Sequence, residues 1–330
     1  MLADFFFLLL LLLAPQTLLG AEGVDYPGGW LPGTQQCVDI CTHSSAQPVC
    51  PTRDPACLRK KQQPGDYDFL LLEQLFLPQF CRDLLVGVDP TISHRNVNKY
   101  PRGITCEPSL AVSKLSIHGL WPNYNAGFPA CCNVSNAIRN QPLNALGFAA
   151  EMPELLAELG QVWVDPTQQS SFNTLCELYN HEFQKHGLCY AADGGVNFDQ
   201  SARDYFRAAL RAAAVHADAT ATINRWAAAN PPQSTLAKVT ALYTTRVQVL
   251  CSAIEPAFKS AGGGGVGNSL AAIHTCFAKP VNASAALVPI DCSDVSTSTS
   301  TDFLPCNPGV PITLTRYSPP VPMSPIALEL

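Results

Sequence analysis

The sequence predicts an α+β fold: a central antiparallel sheet flanked by helices, stapled by disulfides, in a single main domain. Three observations lead there. Apolar, strand-like runs at 67–80, 114–121 and 270–277 are segregated from a helical middle instead of alternating with it. At 47% hydrophobic and 14% charged residues, the 330-residue chain has the composition of a core-building protein. Fourteen cysteines point to an oxidising compartment and a disulfide framework. No long-range internal repeat interrupts this picture.

The elements follow in order. Residues 5–13 are an unbroken apolar run, too short to span a bilayer, with small residues around Gly20-Ala21. This stretch reads as a secretory signal peptide over 1–21, although Asp4 precedes the run where a basic residue is usual. No later segment is long and apolar enough to span a membrane. Residues 22–66 hold Cys37, Cys41, Cys50 and Cys57 among Pro, Gln, Ser and Thr, and read as a small stapled extension. The main domain is expected over 67–317. Its first strand, at 67–80, ends at Pro78, and a second at 114–121 is stopped by Pro122. Helices are expected at 144–159, 170–186, 204–229 and 236–256. Residues 261–267 form a Gly-rich loop without the Gly-Lys-Ser/Thr of a phosphate loop. Runs at 270–277 and 286–290 can pair as an antiparallel ladder, and the Ser/Thr tract 293–301 is a loop. The tail 318–330 is Pro-rich and reads as disordered. Two sequons, at Asn133 and Asn282, fit a secretory route.

Net charge is −6, which disfavours gripping long nucleic acid by charge alone but permits a local cationic site. One such site stands out in His181-Glu182-Phe183-Gln184-Lys185-His186-Gly187. On a helix turning about 100° per residue, His181, Lys185, Glu182 and His186 share one face as two interleaved i,i+4 pairs. Phe183 and Gln184 point away, and Gly187 offers a helix stop. Two imidazoles, an ammonium and a carboxylate suit acid–base work on an anionic substrate. A zinc-protease reading needs a histidine four residues after His181, where this chain has Lys185, so no metal is expected. The bland alternative, a solvated charged helix face, weakens once a second stretch is considered.

That stretch is Ser116-Ile117-His118-Gly119-Leu120-Trp121-Pro122. On a strand His118 faces opposite to Ile117. Gly119 leaves room for close approach, and Trp121 offers a stacking face beside the imidazole. Taken alone, both side chains would more often be core. The remaining histidines, His43, His94, His216 and His274, read as surface or structural.

Together, Ile-His-Gly-Leu-Trp-Pro at 117–122 and His-Glu-Phe-Gln-Lys-His-Gly-Leu-Cys at 181–189 resemble the two active-site segments of the T2-type acid ribonuclease family. The first matches at every position. The second departs only at Phe183, where the family has Trp, and at Leu188, where it has Thr. The Gln-Trp-Pro that family members carry on the first strand has no counterpart in 73–78, which lacks the Trp.

The resemblance implies a metal-independent endoribonuclease, without cofactor, that cleaves single-stranded RNA by transphosphorylation through a 2′,3′-cyclic phosphate. DNA, lacking the 2′-hydroxyl, would not be cut. In the family's scheme His186 is the general base and His118 the general acid. Lys185 and Glu182 stabilise the pentacoordinate phosphate and His181 holds it. The residues themselves leave acid and base interchangeable. Trp121 would stack on a base, with Asn123 and Phe128 at further base contacts. The resemblance also implies nested bridges, Cys251–Cys306 around Cys276–Cys292, and a Cys176–Cys189 bridge. It leaves the pairing of Cys81, Cys106, Cys131 and Cys132 open. The expected setting is secreted or vacuolar/lysosomal, as a monomer, with no membrane contact after signal cleavage. The competing expectation is a catalytically silent RNA-binding or storage protein on the same scaffold.

Overall fold

A computed structural model of the chain describes residues 28–42, 48–50, 55–89, 97, 99–101, 103–135, 138–190, 197–252, 268–292 and 303–321. The expected signal peptide, the Gly-rich loop 261–267, the Ser/Thr tract 293–301, His43, His94 and the tail beyond 321 lie outside the described residues. Six strands build the central sheet: β1 (Phe69–Phe76), β2 (Leu115–Asn123), β3 (Gln248–Ser252), β4 (Leu270–Ala278), β5 (Pro289–Ile290) and β6 (Phe303–Pro305). Their order is β2-β1-β4-β3-β6, with β5 also on β4, and every pairing is antiparallel. The α+β expectation holds.

The first run is shorter as a strand than expected. β1 ends at Phe76, and Leu77–Leu85 forms helix α1 with Pro78 in its first turn, where a missing N–H costs nothing. All eight β1 residues are buried, so both sheet faces are covered and the run shows no alternation. Pro122 does not stop β2, which continues to Asn123. β2 lies at the end of the described strand order, and an outer strand tolerates the lost donor.

The helices also divide. The expected 144–159 helix is α2 (Ala145–Glu151) and α3 (Pro153–Val162), broken at Met152 (φ −132°, ψ 49°). Pro153 drives that residue out of the helical region. The expected helix at 204–229 begins earlier and splits at His216 into α5 (Phe198–Val215) and α6 (Ala217–Ala228). Among the described residues of the stretch expected to be helical over 236–256, only α7 (Leu236–Thr240) is; β3 follows it. The β4–β5 ladder forms with Cys276 opposite Ile290.

Between α3 and α5 runs one helical segment, α4 (171–190), with two wide π-type turns at Leu175–Tyr179 and Phe183–Gly187. The Asn180 and Leu188 N–H groups reach back five residues, to the carbonyls of Leu175 and Phe183. One face of the sheet (Leu70, Leu72, Ile117, Leu120) packs with Phe183 of α4 and Tyr205 and Phe206 of α5 around Trp163. This is the main core, and it anchors α4 against β2.

All fourteen cysteines are paired. Cys251–Cys306 and Cys276–Cys292 form as the resemblance implied. The Cys176–Cys189 bridge does not: Cys176 pairs with Cys37 and Cys189 with Cys132. Both residues lie on α4, and positions thirteen apart on a helix are about 19 Å apart, far beyond disulfide reach. Cys81 pairs with Cys106, and Cys41 with Cys131. Within the N-terminal extension only Cys50–Cys57 is local. The extension is therefore sewn to the body of the protein instead of being stapled to itself. It caps the outer side of α4, where the Ile40 N–H donates to Gln184 Oε1, Gln184 Nε2 donates to Asp39 Oδ1 and Asn180 Nδ2 donates to the Val38 carbonyl.

Candidate active site

The sheet and α4 meet at a β-bulge. In the β1–β2 register Glu73 faces Gly119 and Gln74 faces Ile117, leaving His118 as the extra residue. A bulge re-aims the side chain it carries. Ile117 and Leu120 turn to the core. His118 instead shares the other face with Glu73, as its Nδ1–Glu73 Oε1 distance of 2.5 Å requires.

Gly119 gives α4 its access to that face. A Cβ at this position would overlap both Glu182 Oε2 and Trp121 Nε1. Through the space left, Trp121 Nε1 donates to Glu182 Oε2 at 2.8 Å, and Glu182 Oε1 stands 3.5 Å from His118 Nε2. The Trp121 indole is flanked by two imidazoles, His118 edge-on with ring centroids 5.1 Å apart and His186 at 5.4 Å. Phe128 lies 5.9 Å from the His186 ring and His181 lies 6.4 Å from it.

Of the residues singled out in the sequence, His118, Trp121, His181, Glu182, Lys185 and His186 are brought to this one place, and Phe128 borders it. His118, His181, Glu182 and His186 are buried, whereas Trp121 and Lys185 are partly exposed. Phe183 and Gln184 turn away, into the core and toward the extension. Asn123 is not aimed at the imidazoles. Its Nδ2 donates to the Trp121 carbonyl and its own carbonyl accepts from the Asp68 N–H, so it is used in the strand end. The sequon asparagines Asn133 and Asn282 are exposed.

The two imidazoles have opposite electrostatics. Burial pulls the His118 pKa down, but Glu182 and Glu73 outweigh it and hold it above the ordinary value. His186 is held well below the ordinary value by burial, with Lys185 and His118 adding to the effect. Glu182 is pushed up to about 7 by burial, against the opposing pull of His118, Trp121 and Lys185. Burial would raise Glu73 too, but hydrogen bonds from His118 and His274 reverse it and bring it to about 2. Two buried atoms here, Glu182 Oε1 and His186 Nδ1, have no hydrogen-bond partner among the described residues. Together with a partly exposed ammonium and indole, they make a site equipped to receive an anion and move two protons.

Glu73 and His274 were missed. Glu73 lies in the strand stretch that lacks the family's Trp, and His274, expected to be surface or structural, is fully buried. The signal was present as two polar residues inside apolar strands, FLLLEQLF and LAAIHTCFA, each needing a buried partner.

The model of the Ribonuclease T2 family matches residues 67–292. Among characterised relatives, the chain is 29% identical over 149 residues to Ribonuclease 3 of Arabidopsis thaliana, covering 43% of this chain and 57% of that protein. It is 34% identical over 95 residues to human Ribonuclease T2, covering 29% and 30%. With Extracellular ribonuclease LE of Solanum lycopersicum it shares 26% over 134 residues, covering 40% and 46%. The matched regions thus span between 30% and 57% of these relatives' lengths. Among solved structures, ribonuclease MC1 from bitter gourd seeds superposes with a TM-score of 0.46 at 18% identity, covering 72% of this chain and 99% of that one. Human RNase T2 gives 0.45 at 17%, covering 77% and 100%.

Proposed function

Because the chain belongs to the Ribonuclease T2 family, we propose that it is a metal-independent endoribonuclease that cleaves single-stranded RNA through a 2′,3′-cyclic phosphate. The observation that carries this reading is the pair of imidazoles packed against the Trp121 indole, one whose pKa its surroundings raise and one whose pKa they lower.

His186, neutral near and below neutrality, takes the proton of the ribose 2′-hydroxyl. The 2′-oxygen attacks the adjacent phosphorus, the bond to the 5′-oxygen breaks, and protonated His118 delivers its Nε2 proton to that oxygen. The reverse assignment, which the sequence leaves open, fits less well: a base should be neutral and an acid protonated at working pH, and the opposed shifts favour His186 and His118 in those roles. His118 Nδ1 is occupied by Glu73, which leaves Nε2, on the Glu182 side, as the working nitrogen.

The phosphorane-like transition state gathers negative charge. Lys185 supplies a cation, and His181 completes the phosphate's surroundings. Glu182, with a pKa near 7, is largely protonated under mildly acidic conditions, so its Oε1, which makes no hydrogen bond and stands 3.5 Å from His118 Nε2, can donate to a phosphoryl oxygen. Trp121 and Phe128 offer apolar faces on which bases can stack without strong sequence preference. Asn123, engaged in the strand end, is the weakest of the base-contact candidates.

Seven disulfides and exposed sequon asparagines support a secretory route, with glycosylation at Asn133 and Asn282 and a final location outside the cell or in the vacuole or lysosome. The protein acts as a monomer that takes RNA, not DNA, as substrate. The test is incubation with an RNA oligomer and its 2′-deoxy counterpart in excess chelator: the RNA is cut and the deoxy oligomer is not. Cutting of both, or of neither, refutes the proposal.

A further inference from the structure

Behind His118 the contact with Glu73 continues into a buried chain of polar groups that reaches two further strands. Glu73 sits on β1, between β2 and β4. Its two carboxylate oxygens reach in opposite directions: Oε1 to His118 Nδ1 at 2.5 Å, and Oε2 to His274 Nε2 at 2.5 Å. His274 Nδ1 is 3.0 Å from Gln248 Oε1 on β3. The register places Glu73 directly opposite His274, and His274 directly opposite Gln248. The row therefore crosses four neighbouring strands at one level, and its inner members, Glu73 and His274, are buried.

This placement is costly unless it is used. A carboxylate in an apolar strand loses its hydration and needs charge-assisted hydrogen bonds to replace it. Strand packing alone would be served as well by an apolar side chain. The carboxylate instead fixes one nitrogen of the histidine whose other nitrogen faces Glu182.

We propose that Glu73, itself oriented by His274 and Gln248, is a positioning residue for His118: it accepts the Nδ1 proton, locks the ring's tautomer and direction, and leaves Nε2 as the only nitrogen that delivers a proton. The inference rests on the ribonuclease reading for its kinetic consequence, but the tautomer it specifies belongs to the chain itself. The charged and titratable groups around His118 are Glu73 on β1, Glu182, Lys185 and His186 on α4, and His274 behind Glu73 on β4. Of these, the carboxylates of Glu182 and Glu73 favour the protonated ring, while Lys185 disfavours it. Removing the Glu73 charge therefore lowers the pH at which His118 loses its proton. The linkage also runs through His274, which keeps Glu73 ionised.

The experiment has two arms on the full-length protein. In the first, long-range nitrogen–proton NMR on the wild type reads the His118 tautomer at a pH where the ring is neutral. The proton is expected on Nδ1; a proton on Nε2 overturns the proposal whether or not the protein cuts RNA. In the second, kcat and KM for a short RNA are followed against pH for wild type, Glu73→Gln, His274→Phe and His274→Gln, each checked for folding by thermal unfolding. Glu73→Gln is expected to lower kcat about a hundredfold, part of what a positioned acid contributes, with KM little changed. Its alkaline limb moves down by about one pH unit. His274→Phe shifts the profile the same way, and His274→Gln, which keeps an N–H for Glu73, restores most of it. Unchanged kcat and limb in Glu73→Gln overturn the proposal, as does a His274→Phe profile no different from that of His274→Gln. If a variant fails to fold, the wild-type tautomer decides. A wild type without activity would sink the ribonuclease reading while leaving the NMR arm to decide this one.

Discussion

Gly119 lies directly beneath the Glu182 carboxylate, so that a single methyl group there would occupy the space of both Glu182 Oε2 and Trp121 Nε1. The need here is for room and not for an unusual backbone angle. Gly119→Ala should push the carboxylate off the indole and open the gap between β2 and α4. We expect more than tenfold loss of kcat with about 1–3 kcal/mol of destabilisation, the usual range for overpacking. Paired turnover and denaturant-unfolding measurements check this. Wild-type turnover would show that the close approach is not needed.

The proton-moving pair gives a second expectation. His118→Ala and His186→Ala should each lower turnover by at least about 10²–10⁴-fold, the range for a positioned acid or base. In the wild type the acid limb of the pH profile reports protonation of His186 and falls below the ordinary imidazole range. The alkaline limb reports loss of the His118 proton and falls above it. His186→Ala should erase the acid limb and His118→Ala the alkaline one. A profile that loses the other limb would exchange their roles.

Glu182 couples the site to stability. Its folded pKa of about 7 exceeds the ordinary 4.5, so between these values the folded state holds more proton than the unfolded. Stability from this residue is complete below about pH 4.5 and is lost as pH rises through 7, by about 3 kcal/mol. His186, held neutral, acts in the opposite direction, so the residue's own share is read by difference. The gap in unfolding free energy between Glu182→Gln and wild type should change by a few kcal/mol between pH 4.5 and 8, in favour of the variant at high pH. A constant gap would mean that Glu182 ionises normally.

The extension is expected to stabilise the helix that carries the site. The Cys41–Cys131 bridge closes a separation of 90 residues, and the Cys131 N–H donates to the Lys185 carbonyl. Replacing both cysteines with serine should cost about 2–4 kcal/mol, read as a lower Tm. It should also loosen Lys185 and raise KM more than it lowers kcat. An unchanged Tm would mean that the extension is a passenger.

How much of this was legible in the sequence depends on how local each feature is. The two site stretches were visible because their chemistry is packed into seven consecutive residues on one strand and seven on one helix. The β4–β5 ladder was visible because its strands are close in sequence, whereas the nested bridges, one of them closing 55 residues, came only from the family resemblance. Glu73 and His274 were not, since 201 positions separate them and only the cross-strand register brings them together. The bulge at His118 hides for the same reason: it exists only relative to β1. The π-type turns of α4 leave no periodic signature distinct from an α-helix. The partner of Cys176 could not be read because the path of the extension over α4 is a tertiary fact. The hydrogen bond of Asn123 back to the Trp121 carbonyl could not be read either, because a residue two positions beyond Trp121 can turn outward or back on its own strand.

The most direct test of the central claim is mass spectrometry of the ends left on a short RNA cut by the purified protein in excess chelator. The account predicts fragments ending in 2′,3′-cyclic phosphate with 5′-hydroxyl partners, and none from His118→Ala. Fragments with 5′-phosphates and 3′-hydroxyls, or cutting that stops in chelator and returns with zinc, would contradict it.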